Sequence, residues 1–248
     1  MKVVEMLGVP GSGKSTLADA LVADLPDAVD LEQGVLRAMR ARGEDDIARF
    51  VARIARSPDS RLWKRAYARS TDRFSALTRF VGDHPDLLEA VLAAQRLRSD
   101  RDRDQDAVLG WVLNLMARYQ VATESGGLGW LVVDEGFCQR GVALFGYGYH
   151  EEDRALLDSY LEAIPIPDVV IVVDTPLEDC RRRLEERGWS ERLVGAGVEE
   201  RNRFLTDSST VVEAVSSAAA ASGTRVIRVD GTAPTPDSYA AIAATLNP

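Results

Sequence analysis

An α/β fold, five parallel strands flanked by helices, is predicted by three features of this 248-residue chain. Five short and nearly continuous apolar runs alternate with segments of helical periodicity, as in a parallel sheet buried on both faces. The first run leads without a break into a glycine-rich turn and then a helical pattern. The third run ends on two adjacent acids, Asp134 and Glu135.

The first strand is read over Val3 to Leu7, and the first helix from near Lys14 through Leu17-Ala18-Asp19-Ala20-Leu21. Between them stands Gly8-Val9-Pro10-Gly11-Ser12-Gly13-Lys14-Ser15-Thr16, which has the spacing G-x-x-x-x-G-K-[ST]. Glycines let successive backbone N–H groups converge on phosphate oxygens, and the helix start adds its positive end. Gly8, Pro10, Gly11, Ser12, Gly13, Lys14, Ser15 and Thr16 are therefore the expected nucleotide-binding set. Lys14 carries a point charge to the outer phosphates, and Ser15 offers a hard oxygen to Mg²⁺. There is no Asn-Lys-x-Asp guanine motif, which weakens a GTP-specific reading.

The second strand is read over Ala28 to Leu31. The segment that follows, about residues 34 to 125, is too long for one crossover helix. Apolar residues recur there at helical spacing (Ile47, Phe50, Val51, Ile54; Leu87, Leu88, Val91, Leu92; Val108, Trp111, Val112, Leu115, Met116), which predicts three or four helices. This helical insertion is expected to wall the acceptor pocket, with turns at Ser57-Pro58-Asp59 and Gly82-Asp83-His84-Pro85. Trp63, Tyr67, Trp111 and Tyr119 are read as core aromatics, with an aromatic wall for a base or ring as the alternative, and the alternating charges from Arg101 to Asp106 as a solvated helix start.

The third strand, Trp130 to Asp134, is an apolar run ending in acid, the Walker B form, and its carboxylates should emerge at the same sheet edge as the glycine-rich loop. Asp134 is expected to hold the Mg²⁺ shell and Glu135 to accept a proton from an acceptor hydroxyl. Phe145-Gly146-Tyr147-Gly148-Tyr149 is expected to edge the acceptor pocket. The fourth strand, Val169 to Asp174, precedes a helix opened by Pro176, on which Arg183 and Arg187 share a face. With Arg192 in the loop Gly188 to Gly197 they form an arginine-bearing lid, about residues 181 to 197, placed to neutralise a transferred phosphoryl group. The fifth strand is Arg225 to Val229, and residues 1–248 are read as a single domain.

Thirty Lys plus Arg against thirty-nine Asp plus Glu give a net charge of −9, which disfavours a nucleic acid polymer as partner and points to a small-molecule acceptor. No run approaches the ~20 apolar residues of a membrane span, and Met1-Lys2 passes directly into the first strand, so a cytoplasmic location without membrane contact is expected. Cys138 and Cys180 read as reduced core thiols, and His84 and His150 as surface or capping groups. A homodimer is left open.

On these residues the chain resembles the P-loop kinases of the nucleoside, nucleotide and small-molecule kinase group. The matching pieces are Gly8 to Thr16, Asp134-Glu135, the stretch from Val169 to Gly188, and a last strand running into Val229-Asp230-Gly231-Thr232-Ala233-Pro234. The resemblance implies ATP and Mg²⁺ as cofactors, catalytic roles for Lys14, Glu135, Arg183 and Arg187, and adenine contacts from Gly231 and Ala233. It also implies acceptor contacts from Asp30 or Glu32, with Arg37 and Arg140 nearby. Thymidylate kinases would show Asp-Arg-aromatic, deoxynucleoside kinases Glu-Arg-Ser and adenylate kinases Asp-Gly-Phe-Pro-Arg where this chain has Asp134-Glu135-Gly136-Phe137-Cys138-Gln139-Arg140. The acceptor is thus open between a hydroxyl-bearing nucleoside or sugar and a nucleoside monophosphate. A base such as Glu135 favours the neutral alcohol, because an acceptor phosphate is already deprotonated at pH 7. A nucleotide-switched regulatory protein is the reading from another class.

Overall fold

The computed structural model describes residues 1–42, 47–55, 57–98, 105–124, 126, 129–233 and 235–246. Five strands, β1 (Lys2–Leu7), β2 (Ala28–Asp30), β3 (Trp130–Val133), β4 (Val169–Asp174) and β5 (Arg225–Asp230), pair wholly in parallel in the order β2-β3-β1-β4-β5. Glu5 of β1 lies opposite Val133 of β3 and Val170 of β4. That register brings the loops after β1 and β3 out side by side at the carboxyl edge, where open α/β sheets bind ligands.

β1 shows how one strand serves two layers. Val3 and Leu7 join one apolar cluster while Val4 and Met6 join the other, as the two-residue period of a strand requires. The second cluster is covered by α1 (Lys14–Asp24) and α12 (Thr235–Leu246), through Leu17, Leu21, Ile242 and Leu246. The first cluster, on the opposite face, holds the remaining helices.

Between β2 and β3 run α2 (Leu31–Ala41), α3 (Ile47–Ile54), α4 (Arg61–Ala68), α5 (Thr71–Asp83), α6 (Pro85–Arg98) and α7 (Gln105–Glu124). Among the described residues six helices stand where three or four were expected. The extra boundaries are made by short caps: Ser70 accepts from the Arg73 N–H at 3.2 Å to open α5, and Pro85 opens α6. β2 stops one residue before the expected Leu31 because Asp30 accepts from the Gln33 N–H at 2.6 Å and starts α2. β3 likewise ends at Val133, which leaves Asp134 in the turn, and β5 extends to Asp230 through pairing with Asp174. Residues 101–104 of the alternating-charge segment lie outside the described residues, and α7 begins at Gln105.

The remaining helices are α8 (Phe137–Phe145), α9 (Arg154–Ala163), α10 (Leu177–Arg187) and α11 (Val198–Ala221). The insertion is joined to the sheet by an aromatic stack in which Phe80 of α5 meets Phe137 of α8 at 5.4 Å and Tyr119 of α7 at 6.3 Å between ring centres. Asp72 adds a polar staple, since Arg49 grips it in two-pronged fashion at 2.7 and 2.8 Å and Arg42 reaches it at 3.3 Å. The Arg49 hydrogen bonds hold its carboxyl below the usual range. No described helix is long and apolar enough to cross a membrane.

Phe80 is fully buried in this stack, so Phe80→Ala should lower the unfolding free energy by about 3–5 kcal/mol in urea titration. The exposed neighbour Thr78→Ala should stay within about 0.5 kcal/mol. Equal costs at the two positions would contradict the seating of the insertion on α8.

Candidate active site

The loop after β1 is shaped as an anion cradle. Gly11 has φ 86°, and a Cβ there would lie 2.6 Å from the Cys180 carbonyl oxygen, so loop and α10 touch where a side chain has no room. The Ser12 carbonyl accepts from Thr175 Oγ1 at 2.9 Å and from Arg183 Nη1 at 3.0 Å. α1 then opens at Lys14, which is almost wholly enclosed. Burial pushes the Lys14 ammonium below its ordinary value, while Glu135 and Asp134 pull it back up.

In front of this loop is a cavity of about 630 Å³. Lys14, Arg140, Arg183, Arg187 and Arg192 line it against one carboxylate, Glu135. Such a surplus of positive charge suits a chain of phosphates. A narrower space of about 240 Å³ on the other side of Arg183 is lined by Gly13, Thr16, Asp230, Gly231 and Ala233. The structure thus gathers the residues expected to bind the nucleotide along two adjoining spaces, except Gly8, which lines neither. Arg183 stands between the two, donating to the carbonyls of Ser12 and, at 2.9 Å, Gly231. Arg187 is exposed and reaches the main cavity without such a brace.

Asp134 and Glu135 emerge from β3 beside the cradle. The Ser15 hydroxyl hydrogen-bonds the Asp134 carboxylate, whose pKa burial raises, and one buried Asp134 oxygen has no partner among the described residues. That orphaned oxygen and the Ser15 hydroxyl are hard donors of the kind Mg²⁺ takes, with phosphate and water completing its shell. Among the described residues no cluster of three His, Cys, Asp or Glu side chains could hold a metal by itself. Glu135 is half exposed and pairs with Arg140 at 2.8 Å.

A third space, about 310 Å³, opens on the far side of Glu135 and is walled by Asp30, Glu32, Trp111, Asn114, Arg118, Asp134 and Arg140. Its two arginines are each engaged by a carboxylate, Arg118 by Glu32 and Arg140 by Glu135. Asp19 and Asp30 add further negative charge. Burial raises the carboxyls of both Asp30 and Glu32, with Arg118 opposing at Glu32. Of the four residues expected here beside Glu135, Asp30, Glu32 and Arg140 come together. Arg37 does not: it lies on the solvent side of α2 and lines neither cavity, because α2 turns its Val35-Leu36-Ala38-Met39 face to the core. Trp111 takes the second of its two expected places, a cavity wall and not the core. It is 41 % exposed and has the Arg140 guanidinium 5.5 Å above its ring. The glycine-aromatic stretch lies elsewhere: Phe145 is buried against Tyr160, and Tyr147 and Gly148 line a separate space with Arg203.

Two functional positions escaped the sequence reading. Glu5 sits in the middle of β1, is 1 % exposed, and accepts from the N–H groups of Phe137 (3.1 Å) and Cys138 (2.7 Å) at the start of α8. The only legible signal was an acid inside an apolar strand. A Cβ on Gly136 would lie 2.3 Å from the Glu5 carboxyl carbon, so this turn closes only over a glycine. Gln139, one turn further along α8, accepts from the Gly8 N–H at 3.0 Å and lines the main cavity. Nothing in the pattern marked it.

With this geometry in place, fold and site define a chain with the P-loop kinase fold. A family model described as an AAA domain matches residues 3–85. The deoxyadenosine kinase from M. mycoides with bound dATP superposes with a TM-score of 0.52 at 13 % identity, over 99 % of this chain and 100 % of that one. The thymidylate kinase from Candida albicans gives 0.52 at 16 % identity, over 99 % of this chain and 90 % of that one. A search of curated proteins finds no match.

Burial raises the Glu5 pKa from an ordinary value of 4.5, with the two N–H bonds opposing. A raised folded-state value means that the stability this proton brings is complete below about pH 4.5 and is lost as the pH rises through the folded value. Wild-type stability should therefore fall relative to Glu5→Gln as pH increases from about 4.5 in a series of denaturation curves. Parallel curves for the two proteins would refute the buried, unpaired carboxylate.

Proposed function

We propose that this chain is an ATP- and Mg²⁺-dependent phosphotransferase that moves the terminal phosphoryl group to a hydroxyl of a small molecule. The observation that carries the reading is Glu135, which lines both the basic cavity before the cradle and the acidic cavity beside it. A base at that junction has the donor on one side and the acceptor on the other.

In this reading the cradle N–H groups and Lys14 hold the phosphates, and an arriving anion offsets the desolvation that lowers the Lys14 pKa. Ser15 and Asp134 would hold Mg²⁺, which when bound neutralises charge on the transferred group. Glu135 takes the proton of the acceptor hydroxyl. Arg187, free of the carbonyl contacts that brace Arg183, follows the charge as it spreads over the phosphoryl oxygens.

The acceptor cavity supports an alcohol over a nucleoside monophosphate. Its arginines are already paired and its remaining charge is negative, so a second phosphate would meet uncompensated carboxylates. The Trp111 face suits a planar or sugar ring, and the deoxyadenosine kinase resemblance favours a nucleoside among the candidates. The location proposed is cytoplasmic.

Incubation with ATP, Mg²⁺ and panels of nucleosides, sugars and nucleoside monophosphates should yield ADP stoichiometric with a new phosphate ester on a hydroxyl. Glu135→Gln should lower kcat by about 10²–10⁴ with little change in ATP affinity, and Lys14→Ala should abolish turnover. Turnover that survives Lys14→Ala, or ATP hydrolysis stimulated by a macromolecule but by no small alcohol, overturns the kinase reading in favour of a switch.

A further inference from the structure

Gln139 is a neutral side chain of the main cavity whose orientation is fixed by a backbone contact behind it. It is 5 % exposed, and its Oε1 accepts from the Gly8 N–H at 3.0 Å. A backbone N–H can only donate, so the amide oxygen must face Gly8 and the NH₂ group must face the other way. Among the described residues Nε2 has no hydrogen-bond partner, and the residue lines the cavity shared by Lys14, Glu135 and Arg187. An amide held from behind, with two donors opening on an anion-binding space, is placed to donate to a ligand bound there.

We propose that Gln139 is a catalytic residue whose amide donates to the phosphoryl group in flight; this rests on the phosphotransfer reading. The acceptor oxygen forms the new P–O bond while the bond to the departing ADP oxygen breaks, and the hydroxyl proton passes to Glu135. Gln139 exchanges neither proton nor electrons. It supplies a fixed neutral dipole that needs no rearrangement when charge develops. Its rigidity has a visible source, since Glu5 holds the first N–H groups of α8 and Gly8 holds the amide itself.

Gln139→Glu separates the two contacts. An oxygen still meets the Gly8 N–H, so the cradle keeps its support, while the cavity side changes from donor to acceptor. Calorimetry on the full chain should give an Mg-ADP affinity within about threefold of wild type. Affinity for Mg-ADP-fluoroaluminate, a mimic of the group in flight, should fall about 10²–10³-fold, the loss typical of one such donor. Gln139→Asn, which has the same chemistry but is one carbon too short, should shift in the same direction and serves if the Glu variant fails to fold. A merely structural role would weaken both ligands alike and lower the melting temperature. Equal losses, no loss, or a wild-type chain that binds the mimic no better than Mg-ADP would each overturn the assignment. Absence of any phosphorylated acceptor refutes the kinase reading instead, and the mimic still reads Gln139 on its own.

Discussion

The arrangement of this site depends on a buried carboxylate that has no cation beside it. Glu5 spends its charge on two backbone N–H groups at the start of α8, where the helix dipole is positive. Those groups would otherwise be unsatisfied inside the protein, and the strand would otherwise bury an acid at a cost of several kcal/mol. Each deficit offsets part of the other, and the result is a helix held at a set height over the sheet. The chain enters that helix through Asp134, Glu135 and Gly136, so the acids before it inherit its position. Gln139 and Arg140 leave it pointing at the cradle and at Glu135, respectively.

Charge is sorted on either side of Glu135. The space before the cradle is rich in arginine, and the space beyond it is rich in carboxylates, although the chain as a whole carries −9. Coulomb energies in a partly enclosed site of low dielectric are several times those in bulk water, so this sorting acts directly on which ligand part lies where. The first space favours anionic groups and the second disfavours them. Arg118 and Arg140 sit in the acidic half but are spent on Glu32 and Glu135, which leaves the sign of that half unchanged.

The helical insertion takes part in this division. Its last helix, α7, supplies Trp111, Asn114 and Arg118 to the wall of the acidic space, while Phe80 and Tyr119 anchor it against Phe137 of α8. That wall and the acid pair Asp134-Glu135 therefore rest on the same helix. Arg183 plays a comparable part on the other side, bracing the cradle to the Gly231 loop through carbonyl oxygens rather than projecting freely.

Local chemistry in the sequence determined the five strands, the cradle, the acid pair and the shared face of Arg183 and Arg187. Each depends on neighbours in the chain: apolar runs, glycine spacing, a helical period. Strand ends at Asp30 and Val133 were misjudged by one residue because a cap and a turn, not apolarity, set them. What only the tertiary structure decided is which distant residues meet. Glu5 and Gly136 are joined through adjacent strands, Gln139 and Gly8 through a helix seated on the sheet, and Trp111 and Arg140 across an insertion whose packing no period encodes. Arg37 shows the converse, since its place in the chain beside Glu32 left it on the opposite side of the helix from the cavity. Contacts between residues far apart in the chain arise from packing free energy summed over the whole fold, and that sum leaves no mark at any one position.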